Sequence, residues 1–427
     1  MSPTLKARLR QINSIRSSRT LQQEKPAGNK DIPASWPGWV EAGYMTLKRE
    51  LTRNLPVPFP SGFHEALSIV IPDFAYIKIH GSGRLPVPED LLFFDLETTG
   101  LSGGAGTIAF LAAFGRLSPS GEKNTRGSCR LTVTQYLLLD YPGECDFTGK
   151  LVEELSGNSA PVLVTYNGKS FDSQILHNRC LMNRIKIPEY YHADLLHPAR
   201  RLWKKILPNC SQSTIEVSVL GLDRTGDISG ALAPDIWFSF LRSGEKSDLL
   251  SVCEHNEKDI YGLARLFFAM AEIAANPSGC GAGLIFDEES LALFWERAVR
   301  KNPCIYDERE LTMAETLLKK AAEKGFPRAA FSLALNYFRN GRFQEGRTIL
   351  AGIAEGAEDA EGDAVNAGRV RAAAYKSLAI DAEWRLGDAS LALAYTRKAL
   401  ELPGLSDSYL SELEVRYSRL EGKVRNE

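Results

Sequence analysis

The middle of the chain alternates between short apolar runs and polar turns. Four apolar-rich runs have the length and composition of strands, at residues 91–94, 107–114, 131–139 and 162–166, and the first of them is continuously apolar. Glycine and serine residues between the first two runs indicate a tight connection, as in a hairpin. The pattern therefore predicts a sheet whose first three strands form a meander.

Helical periodicity follows the strands. A helix is predicted from Phe171 to about Arg184, and a long helix from about Lys246 to Ala275, where apolar residues recur at helical spacing. A strand meander followed by alternating helices and strands is typical of an α/β domain with a mixed sheet. We therefore expect one such domain over residues 90–275.

Beyond about residue 287 the strand signal ends and alanine-rich helices begin. Residues 330–337 have the small-and-large rhythm of a tetratricopeptide repeat, and a similar run recurs at 378–384. The offset of about 46 residues exceeds the usual period of about 34, and an acidic insert at 355–368 accounts for the difference. We expect a tetratricopeptide-like helical domain at 287–427 with a possible protein partner, and the alternative is an irregular helical bundle.

The N-terminal part is less informative. Residues 1–35 scatter lysine and arginine among polar residues, which predicts a basic, disordered arm. Residues 36–89 mix proline-rich turns with short apolar pieces and predict a segment that leads into the main domain. The arm could contact nucleic acid, although a solvated terminus is the simpler interpretation.

Bulk properties narrow the functional classes. The formal net charge of -2 gives no global attraction for nucleic acid, so such a partner must be held by local patches or by metal ions. The seven cysteines show no CxxC spacing, which favours a reducing compartment. The longest apolar run is far below the roughly 18 residues that a membrane-spanning helix needs. We expect a cytoplasmic protein without a membrane partner.

Two carboxylates mark the end of the first strand. Residues i and i+2 of a strand lie on one face, so Asp95 and Glu97 point the same way. Carboxylates that end an apolar strand are expensive to desolvate unless positive charge meets them. The following residues 98–109 contain no arginine and are mostly small, which leaves room for a ligand.

Two further elements carry acidic groups. Asp172 stands in the first turn of the predicted helix after the 162–166 strand, where the helix dipole alone would favour an acid. His255 and Asp259 are four residues apart on the long helix and therefore lie on one face. Each element alone has a structural alternative, a capping acid in one case and a surface pair in the other.

Taken together and in this order, the elements resemble the DEDDh exonucleases, which have a ribonuclease H-like fold. The runs 93–107, 166–172, 192–197 with 200–203, and 254–259 are more specifically similar to the YprB-type ribonuclease H-like proteins, some of which carry C-terminal tetratricopeptide repeats. The resemblance covers residues 60–270 in detail. It implies a ribonuclease H-like mixed sheet with flanking helices, followed by the all-α domain.

The resemblance also implies roles for single residues. Asp95 would bridge two Mg²⁺ or Mn²⁺ ions, with Glu97 and Asp172 completing one site and Asp259 the other, while His255 would act as the general base. The implied contacts to the nucleic-acid substrate come from four residues: Thr98, Asn167, Lys169 and Phe171. Asp194 resembles a position that supports the site.

The expected activity is 3′–5′ exonucleolytic hydrolysis of DNA or RNA. Clustered carboxylates agree with metal binding, because two negative charges about 4 Å apart repel by roughly 4 kcal/mol at an effective dielectric near 20. Hard oxygen ligands suit Mg²⁺ or Mn²⁺. The alternative is a catalytically weak nucleic-acid-binding or scaffold protein that acts through its helical repeats.

Overall fold

The computed structural model describes residues 36–55, 63–71, 85–100, 106–119, 129–156, 161–275, 284–301, 306, 308–356 and 364–426. The predicted basic arm and residues 357–363 of the acidic insert lie outside these residues. The chain divides into two compact units, Met1–Ile285 and Phe286–Glu427. None of the described helices has the length and apolar composition needed to cross a membrane.

The described part of the first unit is built on a seven-stranded mixed sheet in the order β1-β2-β5-β4-β3-β6-β7. Its strands are β1 (Trp39–Gly43), β2 (Thr46–Leu55), β3 (Leu91–Thr98), β4 (Ala109–Pro119), β5 (Cys129–Leu138), β6 (Val162–Thr165) and β7 (Tyr191–Asp194). Strands β3, β4 and β5 form the predicted antiparallel meander, whereas β6 is parallel to β3 and β7 is parallel to β6. The predicted α/β class with a mixed sheet is confirmed.

Strands β1 and β2 extend the sheet on the meander side. These residues belong to the segment predicted to lead into the main domain, but β2 pairs with β5 along its whole length, from Thr46 opposite Leu138 to Leu55 opposite Cys129. The polar residues on β2 hid this strand, since alternation with charged side chains is weaker evidence than a continuous apolar run. The sheet therefore begins well before residue 90.

Seven helices surround the sheet: α1 (Phe63–Val70), α2 (Glu144–Leu155), α3 (Asp172–Asn183), α4 (Leu196–Trp203), α5 (Gln212–Ser218), α6 (Ala233–Ser243) and α7 (Ser247–Ala275), all within the described residues. Successive residues of β3 face opposite sides of the sheet. Phe93 contacts Phe267 of α7 with ring centroids 6.2 Å apart, and Phe94 stacks on Phe114 at 4.9 Å. Burying each phenylalanine contributes about 1.5–3 kcal/mol.

The same alternation brings the acidic residues of β3 to the face that carries α7. This helix lies close to the sheet because Gly115 has no side chain: a Cβ there would be 2.6 Å from Cγ2 of Ile260. Close approach of α7 is what allows its polar residues to reach the carboxylates of the strand.

The described part of the second unit is helical. It contains α8 (Glu288–Lys301), α9 (Glu308–Glu323), α10 (Pro327–Arg339), α11 (Phe343–Glu355), α12 (Ala364–Asp381), α13 (Ala389–Leu400) and α14 (Asp407–Asn426), with a π-helical turn at Ala382–Leu386. Consecutive helices pack against each other, and α8 and α12 also contact α10. Small residues such as Ala334, Ala374 and Ala399 are fully buried between them. The helical C-terminal region is confirmed, and its assignment to the tetratricopeptide class stays a prediction.

Candidate metal centre

Three carboxylates meet near the carboxyl ends of β3 and β6. Asp95 and Glu97 come from β3, and Asp172 is the first residue of α3, which follows β6. Glu97 is 8% exposed and Asp172 is 6% exposed, while Asp95 is half-buried. None of the three has an ion-pair partner within the described part of the chain, and the charge of Arg224 offsets only part of the penalty on Asp95.

Burial and mutual repulsion shift the ionisation of all three groups. Burial, followed by the charge of Asp259, raises the pKa of Asp95 to about 7. Burial also raises the pKa of Glu97 well above its ordinary value, with Asp95 as the next cause. The pKa of Asp172 rises for the same two reasons. A site that penalises its own negative charge in this way is suited to bind cations.

The helix α7 completes the cluster. Ligand atoms of Glu97, His255 and Asp259 all lie within 4.8 Å of one another, a spacing at which they could hold a metal ion. Their oxygen and imidazole nitrogen atoms are suitable ligands for a divalent cation. The predicted division of the four acids between two ions stays a prediction.

A chain of buried amides orients Asp95. The Nδ2 of Asn256 donates to Oδ2 of Asp95 at 2.7 Å, and the Nε2 of Gln135 donates to Oδ1 of Asn256 at 2.9 Å. Arg49, which lies opposite Gln135 on β2, donates to Oε1 of Gln135 at 2.6 Å. Asn256 and Gln135 are fully buried, so these hydrogen bonds fix the carboxylate of Asp95 without neutralising its charge.

Asp194 has a structural role at the turn before α3. Its carboxylate accepts hydrogen bonds from the backbone N–H groups of Asn167 at 2.8 Å, Lys169 at 3.0 Å and Leu196 at 3.0 Å. Asn167 has a positive φ of 65°, so the turn needs this support. Asp194 thus holds the loop that presents Asp172.

The predicted substrate-contacting residues lie at the same edge of the sheet. Thr98 is buried and donates from Oγ1 to the carbonyl of Gly100 at 3.0 Å, and Phe171 packs partly against the core. The side chain of Asn167 is exposed, and Lys169 is half-buried without an ion-pair partner among the described residues. These positions are compatible with substrate contact, which stays a prediction.

Sequence reasoning missed two residues that act on α7. Arg224 lies in the loop between α5 and α6, and its Nη2 is 2.6 Å from Oδ1 of Asp259. Asp227 in the same loop is 3.0 Å from Nδ1 of His255. Burial raises the pKa of Asp227, but hydrogen bonds from Arg224 and His255 outweigh it and the pKa falls below its ordinary value.

Asn256 and Gln135, which orient Asp95, were not predicted either, and these four residues differ in how visible they are in the sequence. No local pattern marks Arg224 or Asp227, because they lie in a loop and their partners are far along the chain. Asn256 stands between His255 and Asp259, on the side of α7 that faces the sheet, and Gln135 is a polar residue inside an apolar strand. Both were visible as polar residues at buried positions, which require hydrogen-bond partners.

A mixed sheet with carboxylates gathered at one edge defines the class as ribonuclease H-like, and residues 92–271 match the family model described as the RNase_H superfamily. The wider chain is similar to the uncharacterized protein YprB of Bacillus subtilis (strain 168). The two are 31% identical over 342 residues, which cover 78% of this chain and 75% of that protein. This chain therefore belongs to the YprB-type ribonuclease H-like proteins.

Proposed function

We propose that the ribonuclease H-like domain is a metal-dependent 3′–5′ exonuclease that hydrolyses the phosphodiester bonds of DNA or RNA. Membership in the superfamily supports a nuclease in general. The observation that carries the proposal is a set of three carboxylates, Asp95, Glu97 and Asp172, that are at least partly buried and have no ion-pair partner within the described residues. Helix α7 adds Asp259 and His255 beside Glu97.

The donor set fits two Mg²⁺ or Mn²⁺ ions, because these hard cations prefer carboxylate oxygens and retain positions for substrate phosphate. Asp95, Glu97, Asp172 and Asp259 would hold the ions. When bound, a pair of such ions stabilises both the attacking and the leaving oxygen of a phosphodiester.

The protein's own groups have separate tasks. His255 would accept the proton of the attacking water, since a neutral imidazole is a base suited to neutral pH. The buried amides of Asn256 and Gln135 would hold Asp95 in place. Thr98, Asn167, Lys169 and Phe171 would contact the terminal nucleotide, and Lys169 would supply a positive charge for phosphate.

One observation favours the alternative of a nucleic-acid-binding or scaffold protein. Arg224 is paired with Asp259 at 2.6 Å, so part of the acidic site is neutralised without a metal ion. In that alternative the helical unit would be the working part. The same unit could bind a protein partner in either case, and the buried free cysteines Cys129, Cys180 and Cys253 agree with a cytoplasmic location.

The decisive experiment is a nuclease assay with Mn²⁺ and end-labelled DNA and RNA strands. Asp95→Ala is expected to lower the release of nucleotides by more than about 10³-fold, because a buried carboxylate that would hold the ions is lost. Glu254→Gln, an exposed acid on the same helix as His255, is the matched control and should retain wild-type activity. Equal activity of Asp95→Ala and wild type would exclude the proposed mechanism.

The role of His255 needs a separate measurement. His255→Ala is expected to lower the turnover number by roughly 10²-fold or more, the usual contribution of a general base, with a smaller change in the metal concentration for half-maximal activity. Metal titrations of the activity provide both quantities. A larger change in metal dependence than in turnover would identify His255 as a ligand instead.

A further inference from the structure

The loop between α5 and α6 places two charged side chains against α7. Asp227 lies beside His255, with 3.0 Å between Oδ2 and Nδ1, and its side chain is only 10% exposed. A carboxylate can only accept a hydrogen bond, so Nδ1 of His255 must carry the proton in this contact. The loop therefore selects one tautomer of the imidazole.

The other ring nitrogen points towards the acidic site. Nε2 of His255 is 3.3 Å from Oδ2 of Asp259. A Cβ on Gly230 would lie 3.3 Å from the same nitrogen, so the glycine leaves Nε2 open. With Nδ1 protonated, the lone pair of a neutral imidazole is on Nε2, on the side where a base or a ligand is needed.

Asp227 is itself held in place. Nη1 of Arg224 is 2.7 Å from Oδ2 of Asp227, and the same guanidinium pairs with Glu216 of α5 at 2.5 Å. Glu216 is fully buried and also accepts a hydrogen bond from Gln212 at 2.8 Å. The loop is thus anchored through Arg224 to a buried acid, which fixes the carboxylate that faces His255.

Lys258 adds a weaker contact from the helix, since its Nζ is 3.3 Å from Oδ1 of Asp227. Ion pairs of Asp227 with Lys258 and of Arg224 with Asp259 would be enough to tie the loop to α7 without the histidine. Instead, the Oδ2 atom that binds Arg224 also faces Nδ1 of His255. This shared oxygen is the observation that distinguishes a positioning role from a purely structural one.

We propose that Asp227 is a positioning residue that fixes His255 in the tautomer with Nδ1 protonated and Nε2 directed towards the acidic site. Arg224 acts through Asp227 by anchoring it. The inference rests on the proposed nuclease function for its purpose. The tautomer itself is a property of the protein alone and can be measured without substrate or metal.

The test is a ¹⁵N–¹H correlation spectrum of the imidazole groups in the labelled full-length protein, at about pH 8, well above the ordinary imidazole range. His255→Ala identifies the signals of this residue. Wild type is expected to show protonated Nδ1. Asp227→Asn is expected to shift the population towards protonated Nε2, because an amide beside a catalytic histidine can reverse its tautomer while keeping the geometry.

Asp223→Asn is the matched control, because Asp223 lies in the same loop but is exposed and hydrogen-bonds to Thr225, away from His255. It should leave the spectrum of His255 unchanged. Asp227→Ser, which removes the charge with a smaller side chain, provides a second variant if Asp227→Asn does not fold. Protonated Nε2 in wild type, or a tautomer that neither Asp227 variant changes, would overturn the proposal.

Measurements of kcat and KM test whether the tautomer of His255 matters for the proposed reaction. With Mg²⁺ and a labelled strand, Asp227→Asn is expected to lower kcat by roughly 10–100-fold, as for other residues that orient catalytic groups, and to change KM by less than about twofold. An equal kcat would overturn the positioning role. If wild type releases no nucleotides with any divalent metal, the proposed function fails, whereas the spectrum still decides the tautomer.

Discussion

Glu383 in the helical unit and Glu97 in the ribonuclease H-like unit are the same residue type with nearly the same exposure, 7% and 8%. Glu383 is surrounded by cations: Arg416 at 2.9 Å, Arg419 at 2.6 Å and Lys423 at 2.7 Å. Glu97 has no ion-pair partner among the described residues. The hydrogen bonds from Arg419 and Lys423 lower the pKa of Glu383 to about 2, whereas burial raises that of Glu97.

The comparison separates two uses of a buried acid. Where the chain supplies its own cations, the carboxylate holds helices together, as Glu383 joins the turn after α12 to α14. Where the chain leaves the carboxylate without a cation, charge must come from a ligand or the group must bind a proton. The β3 residues Asp95 and Glu97 are acids without a cationic partner in the described part of the chain. Asp259 is intermediate, because it faces the same site but is paired with Arg224.

The largest expected effect on stability comes from removing the charge of Glu383, the buried acid that is paired with cations of the chain. Glu383→Gln should lower the free energy of unfolding of the helical unit by about 3 kcal/mol, because three cations lose their shared anion. Chemical denaturation of the full chain measures the loss. Glu414→Gln, an exposed acid on the same helix as Arg416, should change stability by less than about 0.5 kcal/mol. A similar small change for Glu383→Gln would show that the cations contribute little.

Cations added from solution should stabilise the fold by a comparable amount when they bind the unpaired acids of the metal centre. At a free Mn²⁺ concentration 100 times the dissociation constant, one bound ion stabilises the folded state by about 2.7 kcal/mol. Thermal unfolding with and without Mn²⁺ should therefore show a clear rise for wild type and for Glu254→Gln, and a much smaller rise for Asp95→Ala. If all three proteins shift equally, the metal binds elsewhere.

Without metal, removing the charge of Asp95 is expected to raise the free energy of unfolding by a smaller amount that depends on pH. Because the folded state raises the pKa of Asp95 to about 7, its ionisation destabilises the fold increasingly as the pH rises from about 4 to about 7. Asp95→Asn keeps an acceptor for Asn256 and removes that penalty. The metal-free variant should be more stable than wild type by roughly 2 kcal/mol above pH 7, and the gain should vanish near pH 4.

Glu383 should show the opposite dependence. Its folded-state pKa lies below the ordinary value, so its stabilising contribution is present above about pH 4.5 and is lost as the pH falls towards 2. Unfolding free energies of wild type, Asp95→Asn and Glu383→Gln across this range compare the two acids directly. Parallel pH profiles for both variants would contradict the distinction drawn between them.

Much of the fold was predictable because its signals are local. Apolar runs at β3, β4, β5 and β6 and the periodicity of α7 follow from the spacing of side chains along one element. The acids Asp95, Glu97, Asp172 and Asp259 could be singled out because each stands at the end of a strand or on one face of a helix. Strands β1 and β2 were not predicted because what defines them is pairing with other strands, β1 with β2 and β2 with β5, and not a run of apolar residues.

What the sequence determined by itself is the class of fold, the order of its elements and the acidic residues offered to one edge of the sheet, since periodicity and residue type act over a few neighbouring positions. Only the tertiary structure decided that Asn256 and Gln135 hold Asp95, that Arg224 pairs with Asp259 and that Asp227 faces His255. These contacts join residues far apart in the chain, and their energies exist only once α7, the sheet and the loop before α6 have packed together.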